Sequence, residues 1–119
     1  MFKIDQDILA RAVCTYGAEP QIRKAQEECG ELIGALQDHL ARPTAETIKH
    51  VNEEVADVLI MAHQLAMIFS PFGVHRQIDY KMKRLEGRLA LGGAVQVDGK
   101  GTDKEIANAL SENNTAARG

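Results

Sequence analysis

Aromatic residues are scarce in this chain. Trp is absent, and three Phe and two Tyr make up 4% of the residues. Sheets draw heavily on aromatic and β-branched side chains, so a sandwich or barrel is disfavoured and a core of Leu, Ile, Val, Met and Ala on packed helices is expected. Cysteine is nearly as rare. Cys14 and Cys29 are too few for a disulfide scaffold, and both sit within apolar patterns, as expected of buried thiols in a reducing cytoplasm. No strong basic excess exists: the net charge is -3, which argues against a nucleic-acid-binding surface. No basic segment leads into an apolar run at the N-terminus, so no secretion signal is expected and the chain reads as cytoplasmic. Long uninterrupted hydrophobic runs are missing too. The most apolar stretch, Val55 to Phe72, is broken by Asp57, His63 and Gln64, the pattern of a buried helix with no membrane partner.

What remains is an ordinary globular composition, 45% hydrophobic and 26% charged, in 119 residues. That length suits one domain, expected over residues 1–92. Helical spacing of Ile8, Leu9, Ala12 and Val13 predicts a helix over Ile4 to Tyr16, stopped by Gly17. Pro20 suits the first turn of a second helix, which runs to about Ala41 before Pro43. Thr44 is placed to cap a third, running to about Ser70, where Pro71 and Gly73 break it. A fourth spans Val74 to Leu91 and ends at Gly92-Gly93. Residues 93–119, rich in Gly, Asn, Ala and charge, are expected to be a largely flexible tail, with Asp103 placed to cap a short helix through Leu110. Ala94 to Val97 offers at most a stub of extended chain. The fold expected is an all-α antiparallel bundle of about four helices, its core completed by oligomerisation, because a helical hairpin with two short helices buries little for its length.

The second and third helices look like copies. Sliding Gln21–Leu40 by 26 positions sets Ile22 on Ile48, Arg23 on Lys49, Gln26 on Asn52, Glu28 on Glu54 and Glu31 on Asp57. On a helical wheel, Ile22, Ala25, Cys29, Ile33, Leu36 and Leu40 form one apolar stripe. Ile48, Val51, Val55, Leu59, Ala62 and Ala66 form the other, and the two are expected to bury against each other and the outer helices. The carboxylates fall at the edge of each stripe. Glu28 and Glu31 are three apart and hence neighbours, as are Glu54 and Asp57. The short connection through Arg42–Thr44 makes the helices antiparallel, so the two acidic edges should face each other across one cleft. Like charges there repel, and a divalent cation removes the cost.

Four carboxylates are hard oxygen ligands. They suit Mg²⁺, with Mn²⁺ as a substitute, better than zinc or copper. Such clusters can clamp a polyphosphate and activate water for in-line attack. A di-iron bundle would need Glu-x-x-His on two helices; Leu36, Thr47, Ile60 and Phe72 stand three residues before the four histidines, so that site is disfavoured.

The stretch Gln21-Ile-Arg-Lys-Ala-Gln-Glu-Glu-Cys-Gly-Glu-Leu, followed by Asn52-Glu-Glu-Val-Ala-Asp-Val-Leu, resembles the MazG-like all-α nucleoside triphosphate pyrophosphohydrolases. Their Glu-x-x-Glu and Glu-x-x-Asp motif reads here as Glu28-x-x-Glu31 and Glu54-x-x-Asp57, and the resemblance covers about Gln21 to Arg88. It implies a homodimer or homotetramer that holds Mg²⁺ through Glu28, Glu31, Glu54 and Asp57. It also implies water attack on the α-phosphorus of a small-molecule nucleotide, releasing monophosphate and pyrophosphate, with Glu28 or its neighbour Glu27 orienting or deprotonating the water. The family's later Lys-x-x-x-Asn-x-x-Arg is matched by Lys81 and Arg88, with Leu85 at the Asn position and Arg84 beside it as a partial substitute. Lys24, on the acidic edge, and Gln21 are further substrate-binding candidates; Tyr80 and Phe72 are candidates to stack on a base. Two other readings are phosphoribosyl-ATP pyrophosphohydrolase, which shares fold and motif, and a helical interaction module whose acidic edge binds a basic partner.

Overall fold

A computed structural model of the chain describes residues 2–92. The expected extended stub at 94–97, the short helix from Asp103 and the flexibility of 93–119 lie outside the described residues. Four helices follow in order: α1 (Gln6–Tyr16), α2 (Ala18–Ala41), α3 (Ala45–Phe69) and α4 (Pro71–Ala90). The fold class is all-α, with no strand among the described residues. It divides into two compact units, Met1–Pro71 with the first three helices and Phe72–Gly119 with nearly all of α4.

Local chemistry sets the helix ends. Asp5 caps α1 through Oδ1, which accepts from the backbone N–H of Asp7 at 2.9 Å and of Ile8 at 3.2 Å. Gly17 ends it with φ at 93°, a left-handed value that favours glycine, and the same residue opens α2. α2 therefore begins two residues ahead of Pro20, which still lies in the first turn, where a missing N–H costs no helical bond. Thr44 and Thr47 cap α3 reciprocally: Thr44 Oγ1 accepts from the Thr47 N–H at 3.0 Å, and Thr47 Oγ1 from the Thr44 N–H at 2.9 Å. The break before α4 is shorter than expected. It is confined to Ser70, because Pro71 serves as a first helical residue and Gly73 is carried inside the helix.

α2 and α3 form an antiparallel hairpin, and side-chain pairs along it give the register. Thr47 Oγ1 meets His39 Nδ1 at 2.8 Å near the turn. Glu28 lies beside Glu54 and Asp57 midway, and Gln21 Nε2 donates to Gln64 Oε1 at 2.7 Å at the far end. α1 packs on both helices and contributes Leu9 to the interior.

The apolar stripes do not bury as expected. Of the α2 stripe only Ala25 is fully buried, while Cys29, Ile33, Leu36 and Leu40 are exposed. Of the α3 stripe Ile48, Val55 and Ala62 are exposed, and Val51, Leu59 and Ala66 are half-buried. The seam instead follows Gln21, Ala25, Glu28, Leu32, Ala35 and His39 on α2, and Thr47, Val51, Glu54, Val58, Met61 and Leu65 on α3. These positions alternate by three and four residues, the spacing that keeps one line of a helix against a partner. Small Ala25 and Ala35 let the backbones approach, and the larger apolar groups turn outward. Both cysteines are free thiols and exposed, contrary to the expected burial, since Cys14 and Cys29 also lie off the seam.

Candidate metal centre and adjoining cleft

The rotation of the seam moves Glu28 and Glu54 from its edge to its interior, while Glu31 and Asp57 stay exposed. Glu28 and Glu54 are each only 8% exposed, more buried than any Leu, Ile or Val of the two helices. Together with the exposed Asp57 they bring one carboxylate oxygen apiece within 4.8 Å of one another. Such closeness among three acids needs cations to offset it.

Lys24 supplies part of the offset, and the placement of its contact repeats with the sequence. Lys24, one turn before Glu28, reaches its Oε1 with Nζ at 3.2 Å. His50, one turn before Glu54, reaches its Oε1 with Nε2 at 3.3 Å. Lys24 and His50 occupy the same place in the two copies, so the repeat extends from sequence into geometry. In both copies the second oxygen, Oε2, is buried without a hydrogen-bond partner. An ionised carboxylate oxygen so placed is costly unless something positive meets it.

Charge crowding moves the surrounding pKa values in one direction. Glu28 beside Glu31 pushes the Glu31 carboxyl above its ordinary range, and Glu54 adds to the effect. Asp57 is raised first by loss of solvent and then by Glu28 and Glu54, with Lys24 working against them. Glu28, as hydrogen-bond partner and counter-charge, holds the Lys24 ammonium above its usual value. Glu31 therefore belongs to the same field although it stands outside the three-residue cluster. Glu27, next to Glu28 in sequence, is exposed and outside that cluster.

Beside the cluster lies a cleft of about 390 Å³. Lys24, Glu28 and Asp57 form its charged end; Ala12, Tyr16, Ile60 and Met61 supply apolar walls; the buried Gln21 and Gln64 complete it. Gln21, a substrate-binding candidate of the sequence reading, lines this cleft, whereas Tyr16 and Gln64 were missed. No local motif marks them. They meet the site because α1 folds onto the hairpin and because residue 64 lies opposite residue 21 in the antiparallel register.

The basic candidates of α4 gather within their own unit. Lys81, Arg84 and Arg88 line one concavity with Ile78, Met82 and Leu85. The two stacking candidates there are already engaged: the Arg84 guanidinium lies 5.6 Å from the Tyr80 ring centre, and that of Arg76 lies 5.8 Å from Phe72.

No family model, curated protein or solved structure matches the chain. Among the described residues, no single helix is long and apolar enough to cross a membrane.

Proposed function

We infer that the chain is a Mg²⁺-dependent hydrolase that cleaves (deoxy)nucleoside triphosphates to monophosphate and pyrophosphate. The observation that carries this reading is the pair of buried glutamates, each with one oxygen unpartnered beside the third acid of a tight cluster. The donor set is all carboxylate, which fits Mg²⁺ or Mn²⁺ and not the softer metals. Glu28, Glu54 and Asp57 hold the ion, with Glu31 as the fourth ligand. When bound, Mg²⁺ supplies charge neutralisation for the phosphate oxygens and lowers the pKa of a coordinated water.

The rest falls to the side chains. The oxygen of water bonds to the α-phosphorus, the bond from that phosphorus to the bridging oxygen breaks, and pyrophosphate leaves. A carboxylate orients the water and takes its proton, and Glu28 is better placed than exposed Glu27 because it stands at the junction of cluster and cleft. Lys24, held beside Glu28 but half-exposed, offers its ammonium to the phosphates. Lys81, Arg84 and Arg88 are the remaining cationic candidates. The outward apolar face of the hairpin supports a homodimer or homotetramer.

The test is turnover of common triphosphates with Mg²⁺ in ¹⁸O-labelled water. The expected products are monophosphate carrying the label and unlabelled pyrophosphate. Diphosphate plus phosphate would place the attack elsewhere, and no turnover of any nucleotide would remove the hydrolase reading.

A further inference from the structure

We propose that the cleft between α1 and the hairpin is a nucleobase subsite in which Tyr16 stacks on the base and the Gln21–Gln64 amide pair reads its hydrogen-bonding edge, which makes the two glutamines the specificity residues. This rests on the hydrolase reading for its context but not for its test. Three observations carry it.

The first is the pair itself. Gln21 and Gln64 are 6% and 3% exposed, among the most buried side chains of the described residues. Their mutual bond, Gln21 Nε2 to Gln64 Oε1 at 2.7 Å, uses one donor and one acceptor. Among the described residues Gln64 Nε2 reaches only the Met61 thioether, at 3.6 Å, a weak acceptor. An amide pair of this kind presents both a donor and an acceptor to whatever fills the cleft. Turning both amides over exchanges those roles and keeps the bond between them. Base edges carry adjacent donors and acceptors, and side-chain amides match them.

The second is the polarity of the cleft. Its charged end is the acidic cluster with Lys24, and its apolar walls include Ile60 and Met61. A nucleotide is divided the same way, with polyphosphate at one end and a flat ring with apolar faces at the other. The volume of about 390 Å³ falls within the range of small-molecule sites, roughly 300–1,000 Å³.

The third is Tyr16. Tyr16 lines the cleft and the residue is 65% exposed, so its ring is accessible for stacking. Stacking accepts any base, whereas the amides distinguish them. The two contributions therefore separate experimentally.

The experiment titrates the ¹⁵N-labelled full chain with the deoxynucleoside monophosphates of the four bases, without Mg²⁺. It follows the side-chain NH₂ resonances of Gln21 and Gln64, and repeats the titrations with Gln21→Met, Gln64→Met and Tyr16→Ala. The expected result is a shift of both glutamine signals by at least one base. The methionine variants should lose about tenfold in affinity for the preferred base and much less for the others, and Tyr16→Ala should weaken all four alike. Glutamine signals that stay fixed at saturation, equal losses for all bases in the methionine variants, or no binding at millimolar nucleotide would each overturn the proposal. Should a methionine variant not fold, the wild-type shifts decide. Neither turnover nor metal is involved, so bases that bind here in a chain that hydrolyses nothing would sink the hydrolase reading and keep the subsite. Hydrolysis with silent glutamines would do the reverse.

Discussion

The inner seam and the outer face of the α2–α3 hairpin are opposite in character to those of an ordinary helical hairpin. Inside lie two glutamates and two glutamines at 8% exposure or less, with Ala25, Ala35 and Met61 between them. Outside lie Ile33 at 58%, Leu40 at 82% and Ile48 at 52%. Burying carboxylates costs free energy and exposing large aliphatic groups forgoes it, so neither half of this arrangement stabilises the isolated chain. On the proposed reading two kinds of partner resolve the contrast: a cation within the seam and an apolar surface against the outer face. Each can be removed separately.

The largest effect is expected inside. Glu54→Gln keeps the shape but withdraws a ligand charge, and Mg²⁺-dependent turnover should fall by on the order of 10²–10³, measured as pyrophosphate release. The same substitution should raise the Tm of the metal-free protein, because it relieves repulsion within the cluster. A Tm that falls in metal-free Glu54→Gln would mean that the carboxylate serves only structure.

Metal and pH sharpen the same point. The Glu31 and Asp57 carboxyls are both held above their ordinary range, so the folded state binds protons more readily than the unfolded. Their crowding is absent below about pH 4, where the acids are protonated in both states, and metal-free stability is lost as pH rises through the carboxylate range. On the proposed reading Mg²⁺ competes with those protons, so the stabilisation it confers should be small near pH 4 and grow toward pH 7, approaching about 2.7 kcal/mol at a hundred times Kd. A Mg²⁺ effect independent of pH in thermal melts would contradict the shared site.

On the outer face, Ile33→Lys with Leu36→Glu should lower the solution mass to that of a monomer by light scattering, with the acidic seam untouched. A mass unchanged by these substitutions would leave the exposed aliphatic groups without a function in assembly. The smallest effect is expected at the turn: Thr44→Ala removes the α3 cap and should cost about 1 kcal/mol, seen in chemical denaturation.

Much of this was legible in the residues. Turn and cap residues located several helix ends, since Gly17 and Thr44 act within a few residues of themselves, whereas the Asp5 cap was not anticipated and Pro71, expected as a breaker, opens α4. The repeat located the acids, because equal spacing on two helices joined by a short turn leaves few ways to pair them. The direction the hairpin faces was not legible. A wheel locates the most apolar side of each helix, but packing chose a line turned toward Glu28 and Glu54, where Ala25 and Ala35 allow close approach. Tyr16 and Gln64 were invisible for a related reason: their roles depend on distant segments meeting.

Taken alone, the sequence determined the all-α class, most of the helix ends and the acidic repeat from which Glu28, Glu54 and Asp57 gather, because capping, periodicity and spacing are local properties of the chain. Only the tertiary structure decided that two of those acids are buried with an oxygen unpartnered, that the large aliphatic groups face outward, and that two glutamines share one cleft with Tyr16. Those facts depend on which line of each helix wins the contact, and backbone approach set that choice ahead of hydrophobicity.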